Sequence, residues 1–220
     1  MTRVKICCIS SIEEAKLAVE YGASALGLVS SMPSGPGVIS EDLIEEIALS
    51  VPPGISTFLL TSLQEIDGII EQHRKCKTST IQICDHLVNG SHHQLKKALP
   101  GIKIVQVIHV TGDKSIHDAI DVSKNVDALL LDSGNQKLTV KELGGTGRTH
   151  DWTISKIIRE SIHVPIYLAG GLNPLNVSDA IGVVKPFGLD LCSGVRTNNK
   201  LDKTKLKLFF QSVREADKNN

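Results

Sequence analysis

Aromatic side chains are scarce, only 3% of the 220 residues, which argues against base-stacking platforms and against a sugar-binding surface built from Trp and Tyr. Neither charge is in excess. Lys plus Arg number 24 and Asp plus Glu also 24, so no overall basic field points to nucleic acid or to an anionic membrane. Long apolar runs are missing as well: the longest are about five residues, against the roughly 20 needed to cross a bilayer. The start, Met1-Thr2-Arg3-Val4-Lys5-Ile6, reads as a strand without a signal-peptide apolar core. A cytoplasmic location is expected. The cysteines, at positions 7, 8, 76, 84 and 192, are odd in number and lack the spacing of a disulfide framework. CxxC is absent, and eight histidines give neither HxxxH nor HExxH, so no structural zinc site is expected. His92-His93 reads as a solvated helix start. What remains, 41% hydrophobic and 22% charged, excludes intrinsic disorder and suits a soluble globular enzyme.

Short β-branched runs alternate with helix-period segments from end to end. Val4-Lys5-Ile6-Cys7 precedes a helix opened by Ser11 with Glu14 three residues on, a capping box. Ala25 to Val29 precedes a helix with Leu43, Ile44, Ile47 and Ala48 on one face, and Ser56 to Leu60 one capped by Ser62 and Glu65. The runs at Thr80–Cys84, Ile102–Ile108, Ala128–Leu131, Val164–Leu168 and Gly188–Leu191 each precede a further helical pattern. Eight strand–helix units with apolar strands match a (β/α)8 TIM barrel, a single α/β domain over residues 1–220. A doubly wound open sheet competes poorly, because it usually has a glycine-rich turn after its first strand and here Cys7-Cys8-Ile9-Ser10 follows. The polar tail from Arg214 to Asn220 reads as frayed surface.

Active sites of such barrels lie at the C-terminal ends of the strands, which selects Cys7, Cys84, His109, Asp132 and Asp190. The sixth loop, Ser133 to Asp151, is the longest connection, and its Gly144-Gly145-Thr146-Gly147 suits a mobile lid. Paired glycines after strand seven (Gly170-Gly171-Leu172-Asn173-Pro174), with Cys192-Ser193-Gly194-Val195 after strand eight, stand where barrels hold phosphate on exposed N–H groups. Simple turns would explain the same glycines less well, needing only one per loop. A thiolate at Cys7 would serve as a general base, although a lone cysteine is more often a small buried hydrophobe. Asp132 follows four apolar residues, so burial would raise its pKa toward general-acid work, unless it only caps a turn. Together they suggest acid–base chemistry on a sugar phosphate.

These stretches, with Gly144-Gly145-Thr146-Gly147-Arg148-Thr149-His150-Asp151-Trp152 and Leu168-Ala169-Gly170-Gly171-Leu172-Asn173-Pro174-Leu175-Asn176-Val177 the most specific, run in order over nearly the whole chain. They resemble the phosphoribosylanthranilate isomerases of tryptophan biosynthesis. The resemblance implies an Amadori rearrangement of N-(5-phosphoribosyl)anthranilate to the 1-deoxyribulose phosphate. Asp132 would be the general acid that opens the furanose and Cys7 the base that takes the C2 proton. Gly170, Gly171, Asn173, Ser193 and Gly194 would hold the phosphate, with Gly145, Thr146 and Gly147 in the lid. Neither metal nor organic cofactor is implied. The expected partner is a small-molecule phosphosugar substrate, not nucleic acid or membrane, and the expected state is monomer or homodimer.

The chain departs from the family pattern in four places. Cys8 stands where the family usually has glycine, and Cys84 where its fourth strand usually ends in histidine. Gly37 falls where an arginine usually grips the anthranilate carboxylate, a loss of roughly 2–3 kcal/mol or on the order of a hundredfold in affinity. Arg196 replaces a common glutamate, and it or Arg148 would be the substitute cation. The alternative is a diverged barrel that acts on, or only binds, a different aminosugar phosphate; the retained Cys7 and Asp132 favour the isomerase.

Overall fold

In a computed structural model of the chain, residues 1–218 are described. Eight parallel strands close into a barrel: β1 (Arg3–Ile6), β2 (Ala25–Val29), β3 (Ser56–Thr61), β4 (Thr80–Ile83), β5 (Lys103–His109), β6 (Ala128–Asp132), β7 (Ile166–Leu168) and β8 (Gly188–Leu191). The helices between and after them are α1 (Ile12–Tyr21), α2 (Glu41–Ser50), α3 (Ile66–Cys76), α4 (His92–Ala98), α5 (Lys114–Ser123), α6 (Trp152–Ser161), α7 (Val177–Val184) and α8 (Lys203–Lys218). Strand β1 closes the ring, pairing Lys5 with Ala25 of β2 on one side and with Asp190 of β8 on the other.

The strands bury both faces, as their unbroken apolar character requires. Outward residues such as Ile6, Leu26, Leu59, Ile81 and Leu131 pack against the helices in the main core. Inward residues, among them Ala25, Phe58, Val105, Leu130 and Tyr167, fill the barrel together with Cys7 and Cys84. Phe58 and Tyr167 meet edge-to-face, with ring centroids 5.7 Å apart.

Four local expectations need correction. Ser11 caps α1 by accepting from the Glu14 N–H at 3.2 Å, but the Glu14 carboxylate turns to Ser10, Leu201 and Arg196 instead of closing the box. Ser62 does not cap α3; its hydroxyl donates to the Ser31 carbonyl, and the helix begins at Ile66 without a side-chain cap. The C-terminal segment is not frayed as far as residue 218. Helix α8 buries Ala216, and Asp217 accepts hydrogen bonds from the N–H and hydroxyl of Thr2; residues 219–220 lie outside the described residues. His93 is exposed as read, whereas His92 is half-buried on Gln106 at 2.9 Å. Between β8 and α8, a short 3-10 turn (Ser193–Val195) leads into a hairpin of β9 (Arg196–Thr197) and β10 (Lys200–Leu201).

Candidate active site

Cys7 follows the last residue of β1, its N–H donating to the Leu191 carbonyl at 2.8 Å. Its sulfur lies over Gly27, whose missing side chain makes the room: a Cβ there would stand 2.8 Å from the Cys7 Sγ and 3.0 Å from the Lys5 Nζ. Thus a fully buried ammonium and the thiol flank the same gap above Gly27. Lys5 Nζ donates to Asp190 Oδ1 at 2.7 Å and lies 5.2 Å from the Phe58 ring centre. Burial disfavours the ammonium, but Asp190 and then Cys7 hold it charged, with its pKa above the ordinary lysine value.

Asp132 ends β6 at the mouth, only 7% exposed. Its Oδ1 accepts from the Ser133 N–H at 2.7 Å, and Gly144 covers Oδ2 so closely that a Cβ would fall 2.7 Å away. Burial raises its pKa above the ordinary carboxyl value and nearby Asp190 adds to the rise, while the Ser133 N–H and His109 oppose it. A carboxyl so placed retains its proton further toward neutrality, as a general acid must. Cys7 and Asp132 line the same cavity.

At the far end of that cavity, Gly170 and Gly171 adopt φ values of 86° and 61°, which favour glycine. Among the described residues, no backbone hydrogen bond uses either N–H. Ser193 also lines the cavity. Asn173 and Gly194 are not among the residues that line it. Asn173 Oδ1 accepts from the Leu175 N–H and its Nδ2 donates to the Gly171 carbonyl, so both ends of the amide hold the turn. Gly194 is glycine for packing: a Cβ would stand 1.9 Å from the Leu172 carbonyl oxygen.

Loop six lies across the mouth. Gly145 sits against Pro36 of the second loop, Gly147 faces Ser193, and Thr146 shares a 2.7 Å hydrogen bond with Ser133. The loop is latched by a group that sequence reading missed. Asp85, 3% exposed, accepts from Lys141 Nζ at 2.5 Å, Gln136 Nε2 at 3.1 Å and His86 Nδ1 at 2.8 Å. Burial works against its charge, but Lys141 and His86 hold its carboxyl below the usual range. At the base of the loop His150 bonds Ser155 through Nε2 at 2.7 Å, while Nδ1 is buried without a hydrogen-bond partner among the described residues. Burial pushes His150 down to about 4. Between the ordinary value near 6.5 and about 4, the unfolded chain binds a proton that the folded one does not, so stability falls as pH drops through this window. Urea unfolding at pH 4.5 and 7.5 should show a loss of about 2 kcal/mol from this group. His150→Gln should flatten that difference, and an unchanged difference would contradict the assignment.

The departures from the family pattern have physical causes here. Gly37 has φ 82°, and a Cβ on it would fall 2.4 Å from the Cys8 Cβ. Cys8 itself holds φ 61°, a conformation that costs a non-glycine residue about 1–2 kcal/mol. The two replacements are thus one exchange: the side chain gained at Cys8 fills the space that a side chain at position 37 would need. Cys84 is buried at 1% exposure on Gln82, its thiol pushed up by burial. Neither arginine offered as a substitute lines the cavity. Arg148 pairs with Glu142 on the surface, and Arg196 pairs with Glu14 at 2.8 Å while donating to the carbonyls of Cys8 at 2.6 Å and Cys7 at 3.3 Å. The cavity end near loop two is instead apolar, formed by Val29, Met32, Pro36, Leu60 and Leu143 with the Ser34 hydroxyl.

Among the described residues, no group of three or more His, Cys, Asp or Glu side chains is placed to hold a metal ion, and no helix is long and apolar enough to cross a membrane. The profile of the N-(5'-phosphoribosyl)anthranilate isomerase family matches residues 4–212. The N-(5'-phosphoribosyl)anthranilate isomerase of Methanothrix thermoacetophila is 35% identical over 98% of this chain and 100% of its own length. A second such isomerase, from Methanosarcina mazei, is 36% identical over 90% of this chain and 87% of its own. The crystal structure of the Thermotoga maritima phosphoribosyl anthranilate isomerase superposes with a TM-score of 0.81 at 29% identity, covering 98% of this chain and 100% of that one. A phosphoribosyl anthranilate isomerase in complex with reduced 1-(o-carboxyphenylamino)-1-deoxyribulose 5-phosphate gives 0.78 at 27% identity over the same shares. A closed barrel carrying a thiol and a buried carboxyl at one mouth, matched along almost its entire length, leaves one conclusion: the chain belongs to the N-(5'-phosphoribosyl)anthranilate isomerase family.

Proposed function

We propose that this protein converts N-(5'-phosphoribosyl)anthranilate to 1-(2-carboxyphenylamino)-1-deoxyribulose 5-phosphate, the isomerisation step of tryptophan synthesis, with Asp132 as general acid and Cys7 as general base. The observation that carries the proposal is the meeting of these two groups in one cavity, beside the N–H groups of Gly170 and Gly171, which have no backbone partner among the described residues. Protonated Asp132 gives its proton to the furanose oxygen, and the C1–O bond breaks to leave an iminium. The Cys7 thiolate, which shares the gap above Gly27 with the Lys5 ammonium, removes the C2 proton. The electron pair forms the C1–C2 double bond of an enolamine, which tautomerises to the ketone with no net change in protons. The phosphate is received by Gly170, Gly171 and Ser193, and Gly145 to Gly147 cover it. The aryl ring lies against the apolar end of the cavity. The test is to incubate the protein with substrate labelled with carbon-13 at C2 and look for a ketone carbon in the product; a spectrum that keeps the sugar signal contradicts the proposal.

The anthranilate carboxylate then lacks an arginine partner. Gly37→Arg alone should destabilise the protein, because position 37 collides with Cys8. Cys8→Gly together with Gly37→Arg should fold and lower KM by roughly tenfold to a hundredfold at little change in kcat. Equal effects of the single and double changes, in a double-mutant cycle of KM and melting temperature, would refute the steric exchange.

A further inference from the structure

The residue after the base is held in a conformation that its side chain disfavours. Cys8 has φ 61°, in the left-handed region that is costly for any residue but glycine. The chain is fixed on both sides of it: the Cys7 N–H donates to the Leu191 carbonyl at 2.8 Å and the Ile9 N–H to the Gly27 carbonyl at 3.1 Å. Successive carbonyls of a strand point to opposite edges, but this turn brings those of Cys7 and Cys8 to one side. Both accept from a single nitrogen, Arg196 Nη2, at 3.3 Å and 2.6 Å. The guanidinium is itself held. Its side chain is 8% exposed and meets both Glu14 carboxylate oxygens, at 2.8 Å and 3.1 Å. It also donates to the Asn199 carbonyl at 2.8 Å, and Lys205 Nζ donates to the Arg196 carbonyl at 2.6 Å. We propose that Arg196 is a positioning residue for the base: its guanidinium locks the left-handed turn at Cys8 and so keeps the Cys7 thiol facing the substrate cavity.

Charge-assisted hydrogen bonds are the strong ones, and here they oppose a local preference. Released to the extended backbone that its side chain prefers, Cys8 would turn the peptide that joins it to Cys7, and the Cys7 Sγ would leave the gap above Gly27. Glycine at position 8 would need no such lock, because it adopts either sign of φ about equally. Cys8, Gly37 and Arg196, three of the departures from the family pattern, thus form one set. The cysteine fills the space that a side chain on Gly37 would need, and the arginine holds the turn that the cysteine strains.

The inference rests on the reading of Cys7 as the base, and chemical labelling separates the two. The whole protein is treated with iodoacetamide, and the rate at Cys7 is read by fragment mass spectrometry, which distinguishes it from Cys8 in their shared peptide. Arg196→Met removes the guanidinium from the turn, while Glu14 retains the N–H groups of Ser10 and Leu201. Labelling of Cys7 should slow by on the order of tenfold, because the thiol no longer faces the cavity through which the reagent enters. With Cys8→Gly in both members of the comparison, Arg196→Met should change the Cys7 rate by no more than about twofold. The turnover number kcat should follow the same pattern with KM little changed, since Arg196 does not line the cavity. Arg196→Met with Glu14→Gln removes both charges and repeats the comparison where the single change fails to fold. Equal slowing beside cysteine and beside glycine, or no slowing in a folded variant, would overturn the proposal. Labelling that follows the expected cycle in a native chain that leaves phosphoribosylanthranilate unchanged would support the lock and sink the isomerase.

Discussion

Replacing Asp132 by asparagine should lower kcat/KM by about 10²–10⁴-fold while leaving the protein as stable as before, or more so. The carboxyl is buried under Gly144, and burial raises its pKa. A carboxyl with a raised folded pKa costs stability as pH climbs above its ordinary value, because the unfolded chain ionises there while the buried group keeps its proton, and the cost levels off above the folded value. Asparagine keeps an oxygen for the Ser133 N–H and never ionises. The stability gained by Asp132→Asn should therefore be larger at about pH 8 than at about pH 3, below the ordinary carboxyl value, opposite in sign to the His150 effect. Thermal melting at the two pH values, beside the turnover rate, checks both halves. A variant that is inactive and equally destabilised at both values would make Asp132 a structural anchor.

The second large effect is expected inside the barrel. Lys5→Met leaves Asp190 buried without its cation, and breaking a buried pair in this way costs about 3–5 kcal/mol. For a chain of this size that corresponds to a fall in melting temperature of roughly 10 °C. Lys5→Met with Asp190→Leu removes both charges and should recover much of the loss, since the pair itself offsets a large desolvation cost. Activity should not recover with it, because the ammonium that shares the gap above Gly27 with Cys7 is gone. If turnover returned together with stability, Lys5 would be a structural residue only.

The barrel was legible because each strand is a short apolar run and each helix carries a 3.6-residue stripe, so the local pattern repeats eight times without conflict. The strand-end rule then located Cys7 and Asp132 with no knowledge of contacts. What it missed are pairs far apart in the chain. Lys5 and Asp190 are opposite charges inside apolar strands, a signal present in Val4-Lys5-Ile6 and Leu189-Asp190-Leu191 but meaningful only once β1 is known to lie beside β8. Asp85 reaches Lys141 across two loops, and Glu14 reaches Arg196 from the first helix to the last hairpin; loop chemistry carries no periodicity that would reveal them. Gly194 and Asn173 each also serve the packing of a turn. Glycine and asparagine suit phosphate loops and tight turns equally, and only contact geometry separates the two uses. Cys8 and Gly37 each look like a lost function in sequence, yet in space they are a single exchange of side-chain volume.

The decisive measurement is the decay of anthranilate-type fluorescence when freshly made phosphoribosylanthranilate is mixed with the native protein, Cys7→Ala and Asp132→Asn. The account predicts decay with the native protein and none above background with either variant. Decay that persists in either variant would contradict the assignment of acid and base, and its absence in the folded native protein would contradict the isomerase itself.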